Sequence, residues 1–228
     1  MSWRGAMPER LGAPRETPLF RRLAIVGMGL IGSSIARAAR RQNLAGSVVA
    51  ADRDEGVCAR VRALGIADAV TADAAEAAHG ADCVILCVPV GACGAVAKTI
   101  APALEPGAIV SDVGSVKGAV MAQVEPHLPK GVQFVPAHPV AGTEDSGPEA
   151  GFATLFAGRW AILTPAYGTD PQRSRPCARC GRAWARRSRS CRRPTTISCS
   201  PSRATCPTSS PTTSSARRRI SSASPARR

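Results

Sequence analysis

The sequence predicts an α/β fold, a doubly wound parallel sheet with helices on both of its faces. Short apolar runs alternate with helical segments from residue 22 to about residue 165. This alternation is typical of parallel sheets, because each crossover between parallel strands usually contains a helix. The first apolar run leads directly into a glycine-rich turn and then into good helix formers, so the first strand–turn–helix unit is well defined.

Each element follows from its local sequence. Apolar runs bounded by glycine, proline or polar residues predict buried strands, and longer alanine-rich segments predict helices. Strands are expected at residues 23–26, 47–51, 82–89, 108–113, 133–136 and 160–165, with 67–70 either a short strand or a connection. Helices are expected at residues 33–40, 54–64, 74–79, 92–104 and 117–125.

The turn after the first strand has the spacing GxGxxG, with Gly27, Gly29 and Gly32. The first glycine allows a tight turn, the second lets a pyrophosphate approach the backbone, and the third lets the helix pack closely. The N-terminus of the following helix offers free N–H groups and a positive dipole end to phosphates. Glycine-rich turns are common, but the position of this one between a strand and a helix predicts a Rossmann-type dinucleotide-binding domain.

A carboxylate at the end of the second strand supports this interpretation. Asp52 lies twenty positions after Gly32, about where an acidic residue meets the adenosine ribose in such domains. A carboxylate accepts hydrogen bonds from the ribose hydroxyls and repels a 2′-phosphate, so NAD is favoured over NADP. Arg53 follows directly and could weaken that preference. The alternative for Asp52 is a solvated strand end without a ligand.

The chain of 228 residues consists of two parts with different compositions. Residues 1–170 contain all sixteen acidic residues and fifteen of the thirty basic ones, whereas residues 171–228 contain fifteen arginines and no acidic residue. The tail also has too few apolar residues to offset its chain entropy. We therefore expect a mobile leader at 1–20, an NAD-binding domain at 21–170 and a disordered basic tail at 171–228.

The cysteines and the apolar segments indicate the compartment. Cys83 and Cys87 lie within an apolar strand and are interpreted as small buried hydrophobic residues. The sequence contains neither the apolar core of a signal peptide nor a long uncharged apolar span. These features favour a cytoplasmic protein with reduced thiols and no membrane contact.

The tail invites two functional interpretations that its sequence does not support. Cys177 and Cys180 form a CxxC, but no second CxxC or histidine pair follows at ligand spacing. The arginines could attract nucleic acid, but no phenylalanine or tyrosine is interleaved for base stacking. We expect no metal site and no specific nucleic-acid partner, only nonspecific attraction to polyanions.

His138 is the candidate for acid–base chemistry. Strand C-termini meet at one edge of a parallel sheet, so Asp52, Pro89, Gly114 and His138, which all follow predicted strands, should converge there. An imidazole there could take a proton from a substrate hydroxyl as hydride leaves the same carbon. The alternative is a solvent-facing loop histidine.

Four blocks of sequence resemble the prephenate/arogenate dehydrogenase family of tyrosine biosynthesis. They are the Gly27–Gly32 turn, Val84–Val90, Ser111–Lys117 and His138–Glu144. The last two are the specific ones, because other Rossmann dehydrogenases do not combine them. The resemblance covers roughly residues 22–165.

The resemblance implies an NAD-dependent oxidation of the ring alcohol of prephenate or arogenate, with loss of the ring carboxylate as carbon dioxide. His138 would deprotonate the 4-hydroxyl, Ser115 would hydrogen-bond beside it, and Thr143 and Glu144 would border the substrate pocket. The expected cofactor contacts are Gly27, Gly29, Leu30, Ile31, Gly32, Asp52, Arg53, Val88, Pro89 and Gly114.

The tail departs from the family, whose members continue into a helical domain that dimerises and supplies cationic substrate-binding residues. When the codons of residues 195–200 and 205–212 are read one base earlier, the genetic code permits a sequence that strongly resembles that domain's motif. We therefore expect a frameshift near residues 170–175, in the gene or in its sequencing. The chain would then lack the family's homodimer-forming domain.

Two other functions remain open from the sequence. One is a different Rossmann dehydrogenase that acts on a hydroxy or imino acid. The other is a dinucleotide-binding module with a nucleic-acid-binding tail. Turnover with simple hydroxy acids would favour the first, and sequence-selective RNA binding that disappears with the tail would favour the second.

Overall fold

The computed structural model describes residues 14–164 and 187–190, whose strands form two sheets. The larger sheet contains β1 (Phe20–Val26), β2 (Ala45–Ala51), β3 (Ala69–Thr71), β4 (Cys83–Leu86), β5 (Ile109–Asp112) and β6 (Gln133–Val135). The smaller sheet contains β7 (Ala137–Pro139), β8 (Trp160–Leu163) and β9 (Arg187–Ser190). The helices are α1 (Leu30–Arg41), α2 (Glu55–Leu64), α3 (Ala74–Ala78), α4 (Cys93–Ile100) and α5 (Lys117–Val124), with short 3₁₀ turns at Val90–Ala92, Ala101–Ala103 and Glu125–His127.

The larger sheet confirms the predicted fold class. Its strand order is β3-β2-β1-β4-β5-β6, and every neighbouring pair is parallel. This is the order of a Rossmann sheet, in which the chain direction across the sheet reverses between the first and fourth strands. The carboxyl ends of β1 and β4 therefore border the crevice where such sheets bind ligands.

Residues of β1 divide between two hydrophobic cores, one on each face of the sheet. Leu23 and Ile25 belong to the core that includes Ile35 of α1. Ala24 and Val26 belong to the core that includes Ile100 of α4. Successive side chains of a strand point to opposite faces, so a fully apolar strand with helices on both sides is the expected arrangement.

Short polar side chains set the helix boundaries around the sheet. Asp54 caps α2, because its Oδ1 accepts hydrogen bonds from the N–H groups of Gly56 at 2.7 Å and Val57 at 3.1 Å. Gly65 ends the same helix with a left-handed backbone, φ 60°. In the described ranges, no helix has both the length and the apolar character needed to cross a bilayer.

The smaller sheet differs from the sequence-based prediction. Residues 160–165 were expected to continue the alternating parallel series, but β8 pairs antiparallel with β7, with Ala137 opposite Leu163 and Pro139 opposite Ala161. His138 therefore lies in a strand rather than in a loop. The sequence could not reveal β7, because a three-residue strand that ends at Pro139 is too short for a period-two pattern.

The two ends of the predicted domain also differ in part from expectation. Residues 15–19 of the expected leader are anchored, since the N–H groups of Arg15 and Leu19 donate to the carbonyls of Gln42 and Leu44 at 3.0 and 2.9 Å. Within the expected disordered tail, the four residues of β9 pair in parallel with β8, because strand pairing needs only backbone groups. Residues 1–13, 165–186 and 191–228 lie outside the described residues, including the cysteines Cys177 and Cys180.

Substitution of Phe156 can test whether the connection between β7 and β8 packs into the core of the larger sheet. Phe156 is fully buried in the same cluster as Met28 and Ile35. We expect Phe156→Ala to lower the free energy of unfolding by about 3–5 kcal/mol, measured by urea denaturation. Phe152→Ala, at an exposed position of the same connection, is the control and should change stability little. Equal losses from both substitutions would contradict this core assignment.

Candidate functional site

The turn after β1 brings two backbone segments into close contact at the crevice of the sheet. The Cys87 N–H donates to the Val26 carbonyl at 2.7 Å, and the Gly27 N–H donates to the Ala51 carbonyl at 2.8 Å. Gly27 has φ +97°, and a Cβ there would lie 2.6 Å from the carbonyl oxygen of Cys87. Only glycine fits this position, as the sequence predicted for a tight turn.

The other two glycines of the motif have opposite surroundings. A Cβ on Gly32 would overlap the carbonyl oxygen of Gly27, so the closeness of α1 to the turn depends on the absence of a side chain. A Cβ on Gly29 would meet nothing within 4 Å. The backbone at Gly29 is therefore open to an approaching group, the feature that a pyrophosphate needs.

The N-terminus of α1 faces this opening without competing groups. Gly29 is its N-cap, no side chain caps it, and its first turn has no acidic residue. The hydroxyls of Ser33 and Ser34 donate back to the carbonyls of Gly29 and Leu30, at 2.7 and 2.6 Å. Leu30 and Ile31 pack partly against the core. The N–H groups of the first turn therefore remain available to an anion, together with the positive end of the helix dipole.

Asp52 is tied to the glycine-rich turn by its own carboxylate. Its Oδ2 accepts from the N–H of Met28 at 2.8 Å, and its Oδ1 accepts from the N–H of Asp54 at 3.1 Å. A carboxylate has about four acceptor positions, so capacity remains for two ribose hydroxyls. Arg53 beside it is exposed. The sequence predicted Asp52 as a ribose contact but did not predict its bond to Met28, which depends on the tertiary contact between β1 and β2.

The strand ends beyond β1 complete the wall of the crevice. Val88 is half-buried, and its Cγ1 would lie 3.1 Å from a Cβ placed on Gly27, so these two turns are in contact. Pro89 is exposed. A Cβ on Gly114 would lie 3.2 Å from Val90 Cγ2, so the loops after β4 and β5 also adjoin. The expected convergence of strand ends is thus present for these positions.

A buried ion pair joins the loop after β5 to β7. Lys117 Nζ donates to Asp112 Oδ2 and to the Ala137 carbonyl, the latter at 2.6 Å. The Asp112 side chain is 0% exposed and that of Lys117 15%. Burial lowers the pKa of the Lys117 ammonium, while the charge and hydrogen bond of Asp112 act in the opposite direction. Sequence reasoning missed this pair, although both residues lie in the Ser111–Lys117 block.

His138 is half-buried in β7 and bonds to the loop after β5. Its Nδ1 lies 3.3 Å from the carbonyl oxygen of Val113. A carbonyl can only accept, so in the neutral ring Nδ1 carries the hydrogen and Nε2 keeps a free lone pair. That nitrogen can act as a general base.

Ser115 was expected beside His138, and Thr143 and Glu144 were expected to border the substrate pocket. Ser115 is exposed, and within residues 14–164 it forms no hydrogen bond with the histidine, because the ring bonds to the backbone of the same loop instead. Thr143 and Glu144 are exposed in the connection after β7. Thr143 bonds locally with Asp145, whose N–H donates to Thr143 Oγ1 at 3.3 Å.

Two cysteines lie near Asp112 and are chemically quiet. Burial raises the pKa of the Cys87 thiol, and the charge of Asp112 adds to this effect. The same two causes raise the pKa of Cys93, partly opposed by Lys117. A raised thiol pKa disfavours the nucleophilic thiolate, so these residues serve packing. Cys83 is buried as expected, whereas Cys87 at the end of the strand is half-buried.

Comparison with known proteins identifies relatives of this domain. A family model described as the nucleotide-binding domain of prephenate dehydrogenase matches residues 35–180. The match includes Asp52, Asp112 and His138 and begins after the three glycines. The cyclohexadienyl dehydrogenase of Zymomonas mobilis is 47% identical over 154 residues, which make up 68% of this chain and 52% of that enzyme.

Solved structures agree with this result. Prephenate dehydrogenase of Aquifex aeolicus, in complex with hydroxyphenyl propionate and NAD+, has a TM-score of 0.69 at 32% identity, covering 75% of this chain and 60% of that one. Arogenate dehydrogenase of Synechocystis has a TM-score of 0.68 at 27% identity, covering 75% of this chain and 59% of that one. The chain thus spans about half to three-fifths of the length of these relatives.

Gly29 and Gly32 provide a matched test of whether the crevice binds a dinucleotide. We expect Gly29→Ala to fold with an unchanged melting temperature and to bind dinucleotide more weakly, since the new methyl occupies the open space over the turn. Gly32→Ala should instead lower the melting temperature, because its methyl overlaps the Gly27 carbonyl. Thermal unfolding and a fluorescence titration with NADH separate the two effects. Unchanged NADH affinity in Gly29→Ala would argue against a phosphate at this position.

Proposed function

This chain belongs to the prephenate dehydrogenase family through its nucleotide-binding domain, and from that membership we propose that it is the cofactor-binding part of an NAD-dependent dehydrogenase acting on prephenate or arogenate. One observation carries the proposal. The Nδ1 of His138 bonds to the Val113 carbonyl in the loop after β5, which leaves Nε2 free as a base, and this loop and the glycine-rich turn follow the carboxyl ends of parallel strands in the larger sheet.

The nucleotide side of the site fits NAD. The open backbone at Gly29 and the uncapped start of α1 suit a pyrophosphate. The remaining acceptor capacity of Asp52 suits the adenosine ribose. When bound, NAD supplies the hydride acceptor, the nicotinamide ring, which would lie near Val88, Pro89 and Gly114.

His138 is the proposed general base of the reaction. Its Nε2 takes the proton of the substrate's ring hydroxyl while hydride leaves the carbon that bears it. The ring carboxylate then departs as carbon dioxide, and the bonding electrons complete the aromatic ring. Ser115, exposed in the loop that holds the histidine, would bond to the same hydroxyl once substrate is present.

We infer that substrate binding also depends on residues outside 14–164. Prephenate and arogenate carry carboxylates, whose binding calls for charge-assisted hydrogen bonds. Thr143 and Glu144 would border the substrate without supplying a cation. The family's helical domain would supply the cations and the homodimer, and the proposed frameshift removes it from this chain.

Preference between NAD and NADP can be tested at Asp52. We expect Asp52→Ala to weaken NAD binding by roughly 10- to 100-fold, the range for losing a hydrogen bond to a charged group, and to reduce discrimination against NADP. Asp52→Asn keeps a carbonyl oxygen for the Met28 N–H but loses the charge. It should therefore reduce the discrimination while disturbing the turn less.

Fluorescence titrations with NADH and NADPH provide the measurement, with Asp68→Asn as a control for a carboxylate outside the crevice. An unchanged preference in both Asp52 variants would remove the assignment of this residue to the ribose.

We expect turnover to depend on the family's helical domain, which the proposed frameshift removes. We expect the 228-residue chain to bind NAD yet produce almost no NADH from prephenate or arogenate, because the proposed frameshift removes the helical domain that holds the family's substrate-binding cations at the tolerance that catalysis needs. A version with the reading frame restored should be a dimer and active. In that version, His138→Ala should lower kcat by roughly 10²–10⁴-fold.

The measurement is steady-state NADH formation by both versions, with simple hydroxy acids as control substrates. Comparable turnover by the unrestored chain would show that the frameshift reading, or its consequence, is wrong. Turnover only with simple hydroxy acids would support a different dehydrogenase.

A further inference from the structure

We propose that Asp112 and Lys117 are positioning residues that fix the orientation and the tautomer of His138. The inference rests on the function proposed for His138 as a base, since it explains how Nε2 is kept free. It concerns two residues that contact the histidine only through backbone groups, and it follows from which peptide groups they hold.

The first link passes through one peptide group. Asp112 Oδ2 accepts from the N–H of Gly114 at 2.8 Å. That N–H belongs to the same planar peptide as the carbonyl of Val113, which accepts from His138 Nδ1 at 3.3 Å. In a trans peptide the N–H and C=O point in opposite directions, so a carboxylate that fixes the N–H also directs the carbonyl toward the imidazole.

The second link holds the backbone from which the ring projects. The Ala137 N–H donates to Asp112 Oδ1 at 3.2 Å, and the Ala137 carbonyl accepts from Lys117 Nζ at 2.6 Å. Both polar groups of the residue before His138 are therefore bound to the same ion pair. The Asp112–Lys117 pair therefore positions both the Val113 carbonyl, which accepts, and the His138 ring, which donates.

The burial of the Asp112–Lys117 pair strengthens its hold on these backbone groups. Both oxygens of Asp112 accept hydrogen bonds, and its side chain is fully buried beside the ammonium. Removing either partner leaves a buried charge without compensation. Polarisation adds to the effect, because a peptide whose N–H donates to an anion has a more negative carbonyl. The Val113 carbonyl is thereby a stronger acceptor for Nδ1–H.

The exposed ion pair between Arg40 and Asp68 provides a matched control. Its side chains are 43% and 45% exposed, and Asp68 also accepts a backbone hydrogen bond, from Val48 N–H at 2.8 Å. It therefore joins a cation, a carboxylate and a backbone amide, as the buried pair does. Neither partner bonds to the loop after β5 or to β7 among the described residues.

The test reads the tautomer directly, by ¹⁵N NMR of the imidazole rings in the full 228-residue chain at a pH where they are neutral. We expect His138 to hold its hydrogen on Nδ1 in the wild-type chain. In Lys117→Met and Asp112→Asn, the signal should shift toward the Nε2–H form that a solvated histidine side chain prefers. Arg40→Met should leave it unchanged, and the exposed His79 and His127 provide internal references.

Hydrogen exchange keeps the test decisive if a variant is unstable. The amides of Gly114 and Ala137 should be protected in the wild-type chain and exchange faster in Lys117→Met, while Lys117→Arg should recover part of the protection because it keeps the cation. An Nε2–H tautomer in the wild-type chain would overturn the proposal without any variant. So would an unchanged tautomer in folded Lys117→Met.

These readings do not require turnover. If no dehydrogenase activity is found in any version but the tautomer shifts as expected, the positioning role stands and the proposed function fails. If activity is found and the tautomer does not respond to Lys117→Met, the proposed function stands and the positioning role fails.

Discussion

The close approach of the turn after β1 to the end of β4 is the constraint on which the crevice depends. Gly27 leaves room for the carbonyl of Cys87, and Gly32 leaves room for the carbonyl of Gly27, so strand, turn and helix α1 are stacked with no side chain between them. This stacking directs the start of α1 toward the space above Gly29. A nucleotide site formed by backbone groups needs that geometry, because N–H groups can serve a phosphate only where nothing shields them.

The connection between β7 and β8 packs against helix α1, so the strand that carries His138 and the glycine-rich turn are held together. A Cβ on Gly151 would overlap the hydroxyl of Ser33, and the Phe152 N–H donates to Ser34 Oγ at 3.1 Å. The strand that carries His138 is thus followed by a segment docked on helix α1, whose N-terminus is the proposed phosphate site. On the proposed function, this packing would hold His138 and a bound cofactor in fixed positions on either side of the substrate.

Features that depend on a local sequence pattern could be predicted from the sequence. Apolar strands, the three glycines and Asp52 at a strand end each have a signal within a few residues. The strands of the larger sheet lie close to their predicted positions, although β4 ends at Leu86, before the predicted end at residue 89. The glycines and Asp52 occupy the turn and the strand end as expected. β7 has no such signal, because its three residues acquire strand geometry only by pairing with Ala161–Leu163. The ion pair was missed for the same reason: Asp112 resembles a strand-end carboxylate like Asp52 until its neighbours are known.

Comparison of these two carboxylates shows how identical residue types at equivalent strand ends acquire different roles. Asp52 is half-buried, accepts two backbone N–H groups and forms no ion pair among the described residues, so lone pairs remain available at the surface of the crevice. Asp112 is fully buried and uses both oxygens on two amides and an ammonium. A group with spare acceptors in contact with solvent can recognise a ligand. A buried group with both oxygens bonded to the protein is placed to hold other parts of the protein, and Asp112 holds the peptide that His138 contacts.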